Sequence, residues 1–167
     1  MDDRGYIVTN EYMETSKKNI WALGDITGKG MFRHSANYEA SVVIESIFHG
    51  TKREMDYSKV PHAVFTYPEI ASVGLTQSEA IERFGADALL MGQVKYWDVA
   101  RGEAMMEKDG FAKVIVHKDT GTVTGFHIIG PHASILIQEV VNAMAGENGL
   151  SYLKTSMHIH PALTEII

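Results

Sequence analysis

The chain has 167 residues, of which 45% are hydrophobic and 22% are charged, a composition typical of a folded domain. Its net charge of -6 disfavours a nucleic-acid partner, and its lack of cysteine excludes a disulfide scaffold, a thiolate zinc site and a thiol nucleophile within the chain. Every apolar stretch is shorter than the roughly 18 residues of a membrane span, and the N-terminus lacks a secretory pattern, so we expect no membrane partner and a cytoplasmic location.

The first 50 residues predict two short strands, a glycine-bearing loop and one helix. We expect the strands at residues 5–9 and 20–23 and the loop at residues 27–30. Ser35 is predicted to cap the helix and Gly50 to end it. The predicted inward face of the helix carries Ala36, Ala40, Val43 and Ile47. Residues 51–59 are polar and without periodicity, which makes them the best linker candidate.

The run Leu23-Gly24-Asp25 has two interpretations. In the first, a buried strand ends in Gly-Asp only because the chain must turn there. In the second, the carboxylate accepts hydrogen bonds from hydroxyl groups of a ligand, and the glycine lets that ligand come close. The loop and helix N-terminus that come next would then offer backbone N–H groups to electron-rich oxygens. The spacing alone leaves both interpretations open.

After Pro61 the pattern becomes strand-rich, with two or three helices, and this predicts an α+β layer. We expect strands at residues 63–66, 70–73 and 88–97, and a hairpin made of 111–116 and 122–129. Thr76 and Glu79 form a capping box for a helix that ends at Gly85. A second helix is predicted from Ala133 to about Ala145, with an inward face of Leu136, Val140, Ala143 and Met144.

Two histidines near the C-terminus, His158 and His160, alternate along the chain. On a strand they would share a face and could bind a metal, but no third ligand is indicated, so we predict no metal site. Pro161 favours a helix start, which would place His160 at or near the cap and Glu165 within reach of the imidazole. A carboxylate beside a histidine can fix one tautomer and stabilise the imidazolium for proton transfer. The alternative is a plain helix cap with a solvated glutamate.

Several segments together resemble a known family. Residues 20–25 (Ile-Trp-Ala-Leu-Gly-Asp), residues 31–36 (Met-Phe-Arg-His-Ser-Ala) with Glu39, residues 60–76, and His160-Pro161 with Glu165 are similar to the FAD-dependent pyridine nucleotide–disulfide oxidoreductases. That family includes dihydrolipoamide dehydrogenase, mercuric reductase and mycothione reductase. The resemblance covers nearly the whole chain in the right order.

The resemblance implies an α+β fold in two parts. Residues 56–167 would be a dimerisation domain with an antiparallel sheet packed by helices, and residues 1–55 a C-terminal fragment of an α/β FAD-binding domain. Asp25 would bind the ribityl chain of FAD, and Met31, Phe32, Arg33 and His34 would approach the isoalloxazine. His160, held by Glu165, would be the acid–base catalyst for a substrate thiol in the active site of a homodimer.

The family also implies a reaction, in which electrons pass between NAD(P)H, FAD and a disulfide or dithiol substrate. The redox-active cysteine pair and the GxGxxG nucleotide motifs of the family are missing from this sequence. We therefore expect the chain to be the C-terminal region of a longer enzyme, inactive by itself, with an undetermined disulfide substrate. The alternative is a non-catalytic dimerisation or interaction module, and the intact gene would discriminate between the two.

Overall fold

The computed structural model describes residues 1–146 and 149–167, and the chain forms two compact units, residues 1–60 and 61–167. The division lies slightly later than the predicted boundary at residues 55 and 56. The reason is that Tyr57 and Val60, which come after the predicted boundary, pack against the apolar cluster of the first unit, and the Tyr57 hydroxyl donates to Glu39 of that unit. In the described part of the chain, no helix is both long and apolar enough to cross a membrane.

The first unit is built on one helix. A 3-10 turn at Gly24–Thr27 precedes α1, Arg33–Ile44, which continues as a π-helical turn over Glu45–His49. A further 3-10 turn forms at Tyr57–Lys59. The predicted stop at Gly50 is confirmed, because this glycine adopts a left-handed φ of 65° and donates its N–H to the carbonyl of Glu45.

The prediction of two strands in the first unit was wrong. Among the described residues, residues 5–9 and 20–23 form no strand ladder, and the only β-bridges there are the isolated ones of Thr9 with Thr15 and of Glu14 with Trp21. An extended segment becomes a strand only when a neighbour supplies a ladder of hydrogen bonds, and single bridges do not form one.

The start and the face of α1 also differ from the prediction. Phe32, in the extended conformation, precedes the first helical residue, whereas Ser35 lies inside the first turn. The buried positions are Ser35, Glu39, Val42 and Val43, and Ile47 is exposed. The inward face is therefore rotated from the predicted one, because a glutamate that finds hydrogen-bond partners takes a core position.

The second unit is a five-stranded antiparallel sheet with strand order β1-β2-β5-β4-β3. The strands are β1, His62–Val64; β2, Ile70–Gly74; β3, Leu89–Lys95; β4, Phe111–His117; and β5, Val123–Ile129. The predicted α+β class and the β4–β5 hairpin are confirmed. Strand β3 ends earlier than predicted, because residues 96–98 form a 3-10 turn in which the Asp98 carboxylate accepts the N–H of Lys95.

Four helices accompany the sheet in the described residues: α2, Gln77–Phe84; α3, Ala100–Ala104; α4, Ala133–Ala145; and α5, Gly149–Thr155. The capping box of α2 is confirmed, since Glu79 accepts the N–H of Thr76 at 2.8 Å while the Thr76 hydroxyl accepts the N–H of Glu79. The inward face of α4 is also confirmed. Its apolar side chains pack on the sheet against Val73, Phe126 and Ile128.

Tyr96 is a fully buried tyrosine next to the end of β3. Its hydroxyl donates a hydrogen bond to the carbonyl of Pro131 at 2.8 Å. Glycines surround the ring: a Cβ on Gly110 would lie 2.6 Å from a ring carbon, and one on Gly130 only 2.4 Å. Burial raises the pKa of Tyr96 well above its ordinary value, so the hydroxyl remains a donor. Glycine is therefore required at these two positions, because a side chain there would collide with the Tyr96 ring.

Helix α4 receives its N-terminal cap from another part of the chain. His132 precedes the helix with a left-handed φ of 61° and supplies no side-chain cap. Instead, the Glu69 carboxylate accepts the N–H of Ser134 at 3.1 Å and the Ser134 hydroxyl at 2.8 Å. The carbonyl of Glu69 also accepts the N–H of Gly130 at 2.9 Å. One residue of the β1–β2 loop thus fixes the start of α4.

We predict that Glu69→Gln removes an acid-sensitive part of the stability of the second unit. The N–H and hydroxyl of Ser134 lower the pKa of Glu69 below its ordinary 4.5. The contribution of the carboxylate is therefore complete above pH 4.5 and is lost as the pH falls through the lowered folded-state pKa.

The measurement is urea unfolding of wild type and variant across the acid range. The difference in midpoint should shrink as the pH falls. Glu82→Gln, at an exposed position on α2, is the matched control and should behave like the wild type. A midpoint difference that stays constant at all pH values would contradict the assignment.

Candidate functional site

Asp25 lies in a tight turn that presents its side chain to solvent. Gly24 has a φ of 76° and Gly28 a φ of 65°, and the Gly28 N–H closes the turn on the carbonyl of Asp25 at 3.0 Å. The Thr27 hydroxyl donates to the carbonyl of Gly24 at 2.9 Å. The Asp25 carboxylate is exposed and makes no hydrogen bond or ion pair with any residue that the structure describes. It is open to accept hydrogen bonds from a ligand.

A buried carboxylate holds the Asp25 turn through a hydrogen bond to its backbone. Glu39 of α1 has no exposed surface, and its two oxygens accept hydrogen bonds from the N–H of Gly24 and, at 2.6 Å, from the hydroxyl of Tyr57. Burial, together with the hydrogen bond to Glu39, raises the pKa of Tyr57, so the tyrosine stays protonated and donates. Glu39 thereby fixes the residue immediately before Asp25.

The predicted flavin-contacting residues gather at the start of α1. Met31, Phe32, Arg33 and His34 are exposed, and the rings of Phe32 and His34 stack with centroids 5.2 Å apart. This start lies against the Asp25 turn, since a Cβ on Gly24 would be 3.6 Å from the Cβ of Ala36.

The start of α1 carries two features that fit an electron-rich ligand. No side chain among the described residues caps it, and this helix N-terminus lies beside the Asp25 turn. The Ser35 hydroxyl in its first turn is buried and has no partner among the described residues. An open carboxylate, a helix N-terminus and an unpartnered hydroxyl together suit a group that carries both hydroxyls and electron-rich oxygens.

His160 and Glu165 are in direct contact in the second unit. The Nδ1 atom of His160 lies 2.7 Å from one carboxylate oxygen of Glu165, and the other oxygen accepts the N–H of Ala162 at 2.9 Å. The His160–Pro161 peptide bond is cis. The hydrogen bond with His160, and after it that from Ala162, lowers the pKa of Glu165, which is therefore ionised at neutral pH.

This geometry selects one tautomer of His160. An ionised carboxylate only accepts hydrogen bonds, so Nδ1 carries the proton and Nε2 keeps its lone pair in the neutral ring. The His160 side chain is 69% exposed, which leaves Nε2 accessible. The pair can therefore take a proton from a thiol and return it.

The helical turn after Pro161 starts later than predicted. A 3-10 turn forms at Leu163–Ile166, preceded by Ala162 in an extended conformation. The capping contact comes from Glu165, which accepts the N–H of Ala162, and His160 lies two residues before this cap residue. Glu165 orients the imidazole and caps the turn at the same time.

His158 is paired with a residue that the sequence analysis missed. Its Nε2 atom lies 2.6 Å from a carboxylate oxygen of Glu139, on α4. The two residues are 19 positions apart, so no local spacing pointed to the pair. His158 and His160 do not lie on a strand, and in residues 1–146 and 149–167 no three His, Cys, Asp or Glu residues come together as metal ligands.

Comparison with known proteins identifies similar families and relatives. The family described as pyridine nucleotide-disulphide oxidoreductase, dimerisation domain, matches residues 60–167, and the family described as pyridine nucleotide-disulphide oxidoreductase matches residues 1–40. A dihydrolipoyl dehydrogenase from Synechocystis is 40% identical over 99% of the chain, and a mycothione reductase from Mycobacterium tuberculosis is 38% identical over 98%.

The fold of the chain is also similar to parts of solved structures. LpdA from Mycobacterium tuberculosis matches 96% of the chain with a TM-score of 0.88 and 25% identity. The flavoprotein disulfide reductase RclA from Escherichia coli matches 98% with a TM-score of 0.84 and 28% identity. The chain spans only 36% of the two sequence relatives, 35% of the LpdA chain and 38% of the RclA chain.

We predict that Glu39→Ala loosens the Asp25 turn. The change removes the acceptor of the Gly24 N–H and of the Tyr57 hydroxyl, and a single hydrogen bond of this kind is worth roughly a tenfold change in local opening. Amide hydrogen exchange at Gly24 should therefore speed up by about tenfold or more. Asn37→Ala, at an exposed position on the same helix, should leave this exchange unchanged. Equal protection of Gly24 in wild type and Glu39→Ala would rule out the support.

Proposed function

We propose a function for this chain from the fact that it belongs to the pyridine nucleotide–disulphide oxidoreductase family. In the proposal, residues 56–167 are the dimerisation domain of a flavoprotein disulfide reductase, and residues 1–55 are the flavin-contacting end of its FAD-binding domain. The enzyme passes electrons between NAD(P)H, FAD and a disulfide or dithiol substrate. The dihydrolipoyl dehydrogenases and mycothione reductases among its relatives support this reaction class.

The contact between His160 and Glu165 is the observation that carries the proposal. A thiol attacks a disulfide as the thiolate, so its proton must go to a base first. The lone pair on Nε2 of His160 accepts that proton, and the resulting imidazolium is stabilised by the ionised Glu165. In the reverse direction, the imidazolium returns the proton to the departing thiolate. One pair of side chains thus serves both directions of thiol–disulfide exchange.

The residues of the first unit would hold the flavin. Asp25 would accept hydrogen bonds from the hydroxyls of the ribityl chain, and residues 31–34 at the start of α1 would approach the isoalloxazine. The position of the helix start beside Asp25, and the buried Ser35 hydroxyl, which has no partner among the described residues, support this assignment. FAD, when bound, supplies the ring system that accepts an electron pair. Glu39 would keep the Asp25 turn in place for it.

The proposal includes a homodimer, in which His160 would act at the active site of the opposite subunit. Large apolar side chains that the second unit leaves on its surface support an interface there. Phe65, Tyr67, Met157 and Ile159 are all more than three-quarters exposed (78%, 98%, 99% and 77%). We propose no nucleic-acid or membrane partner and a cytoplasmic location, which rest on the acidic, globular composition.

The chain by itself should not complete the reaction. It contains no cysteine, so it has no redox-active disulfide of its own to exchange with a substrate. The assembled flavoenzyme is this chain together with the regions that would carry the cysteine pair and the nucleotide motifs. Activity is tested in that form.

In the assembled flavoenzyme, we predict that Asp25→Ala weakens FAD binding roughly ten- to hundredfold, because it removes a charged acceptor of hydroxyl hydrogen bonds. The measurement is the flavin remaining bound after dilution and dialysis. Asp3→Ala, at an exposed position in the same unit, is the control. Unchanged retention in Asp25→Ala would exclude it as a flavin contact.

We predict that His160→Gln lowers the disulfide–dithiol half-reaction by roughly 10²–10⁴-fold, the usual scale of acid–base catalysis. Glu165→Gln should cost less, because an amide oxygen still orients the ring. Reduction of the flavin by NAD(P)H should survive both changes, since it needs no thiol proton. Stopped-flow measurement separates the two half-reactions. Equal losses in both, or no loss in the disulfide step, would show that His160 is only part of a helix cap and not an acid–base catalyst.

A further inference from the structure

The segment that carries His160 has little backbone support of its own. Helix α5 ends at Thr155, and no backbone–backbone hydrogen bond joins residues 157–161 to any other described residue. Within one subunit, the Met157 and Ile159 side chains on either side of His158 are unpacked, with exposed fractions of 99% and 77%. The contacts that a single subunit provides for the position of His160 are therefore those that hold this segment at its two ends.

The downstream end is held by the core and by Glu165. Ile166 is only 2% exposed and packs into the main apolar cluster of the second unit. Glu165, one residue earlier, contacts both His160 and the N–H of Ala162. These contacts fix the chain on the C-terminal side of the imidazole but not the direction from which the chain reaches it.

The upstream end is held by the side chain of His158. This side chain is 21% exposed, and its Nε2 atom lies 2.6 Å from a carboxylate oxygen of Glu139. Glu139 is carried by α4, whose neighbouring residues Leu136 and Val140 are buried against the sheet. His158 is thus tied to one of the most firmly packed helices of the unit, two residues before His160.

We infer that Glu139 and His158 are positioning residues for the His160–Glu165 pair. Two residues of extended chain span at most about 7 Å, so a shift of His158 passes directly to His160. Loss of the contact between His158 and Glu139 would let residues 157–161 sample other conformations. The hydrogen bond between Nδ1 of His160 and Glu165 would then be populated less often. The catalytic consequence rests on the function proposed above, whereas the positioning itself does not.

Nuclear magnetic resonance on this chain tests the positioning directly. In the wild type, the neutral His160 ring should carry its proton on Nδ1, which imidazole nitrogen shifts report. In Glu139→Ala and in His158→Ala, the share of this tautomer should fall, and the order parameters of residues 157–161 should drop below about 0.6. Each variant should show the same change, and the double variant should add nothing further, because both remove one contact.

Two control variants separate the contact from a general effect on α4. Glu139→Gln keeps an oxygen that can accept a hydrogen bond from His158, and it should restore most of the wild-type tautomer share. Gln138→Ala removes an exposed side chain that bonds to Asn142 on the same helix, and it should change nothing. An unchanged tautomer share and unchanged order in both Glu139→Ala and His158→Ala would overturn the inference, as would a wild-type ring without the Nδ1 proton.

The assembled flavoenzyme supplies the functional readout. Glu139→Ala should lower kcat of the disulfide half-reaction by up to about 10²-fold, the scale of a misplacement near 1 Å, with flavin reduction unchanged. Glu139→Gln should recover most of that loss. If the tautomer shifts while the disulfide step is unaffected in both Glu139→Ala and His160→Gln, the positioning holds and the proposed catalytic function fails.

Discussion

The cap that Glu69 places on α4 is the contact on which much of the second unit depends. Glu69 directly precedes β2, so the residue at the entry to this strand also holds the first turn of the helix that covers the sheet. Helix α4 in turn carries the core residues of one face and Glu139 beside them. A series of contacts therefore runs from Glu69 through α4 to His158 and the C-terminal pair. The His160 imidazole is exposed, but the contacts that support it reach into the apolar core of the unit.

In the first unit, a buried glutamate supports the turn that carries an exposed carboxylate. A fully buried carboxylate is costly unless hydrogen bonds replace its lost water, and Glu39 obtains them from Gly24 and Tyr57. One partner belongs to the turn that presents Asp25, and the other lies near the end of the unit. The exposed carboxylate thus stands on a turn held by a buried one. The two carboxylates therefore have different roles. Asp25 is exposed and open to hydrogen bonding, while the buried Glu39 fixes the turn that carries it.

Local patterns in the sequence predicted much of the second unit. The β4–β5 hairpin, the capping box at Thr76 and the inward face of α4 are each encoded within a few neighbouring residues, so they were found without knowledge of the fold. The His160–Glu165 contact was also within reach, because its members are five positions apart. Contacts made by Glu39, Glu139 and Glu69 span 15, 19 and 65 positions and leave no such pattern. The sequence of residues 5–9 and 20–23 suggested strands, but it could not show that these segments lack a neighbouring strand among the described residues. Asp25 and residues 31–34 came from family resemblance, and their role stays a prediction.

Tyr96 and Tyr57 have a consequence in strong base. Each is a hydrogen-bond donor in its own unit, and burial raises the pKa of each above the ordinary tyrosine value of 10. Above pH 10 the unfolded chain can release these protons while the folded chain still retains them. Alkali therefore draws both units toward the unfolded state. The part of the phenolate absorbance that these two buried rings contribute would appear only as the units unfold, which makes them built-in indicators of alkaline denaturation.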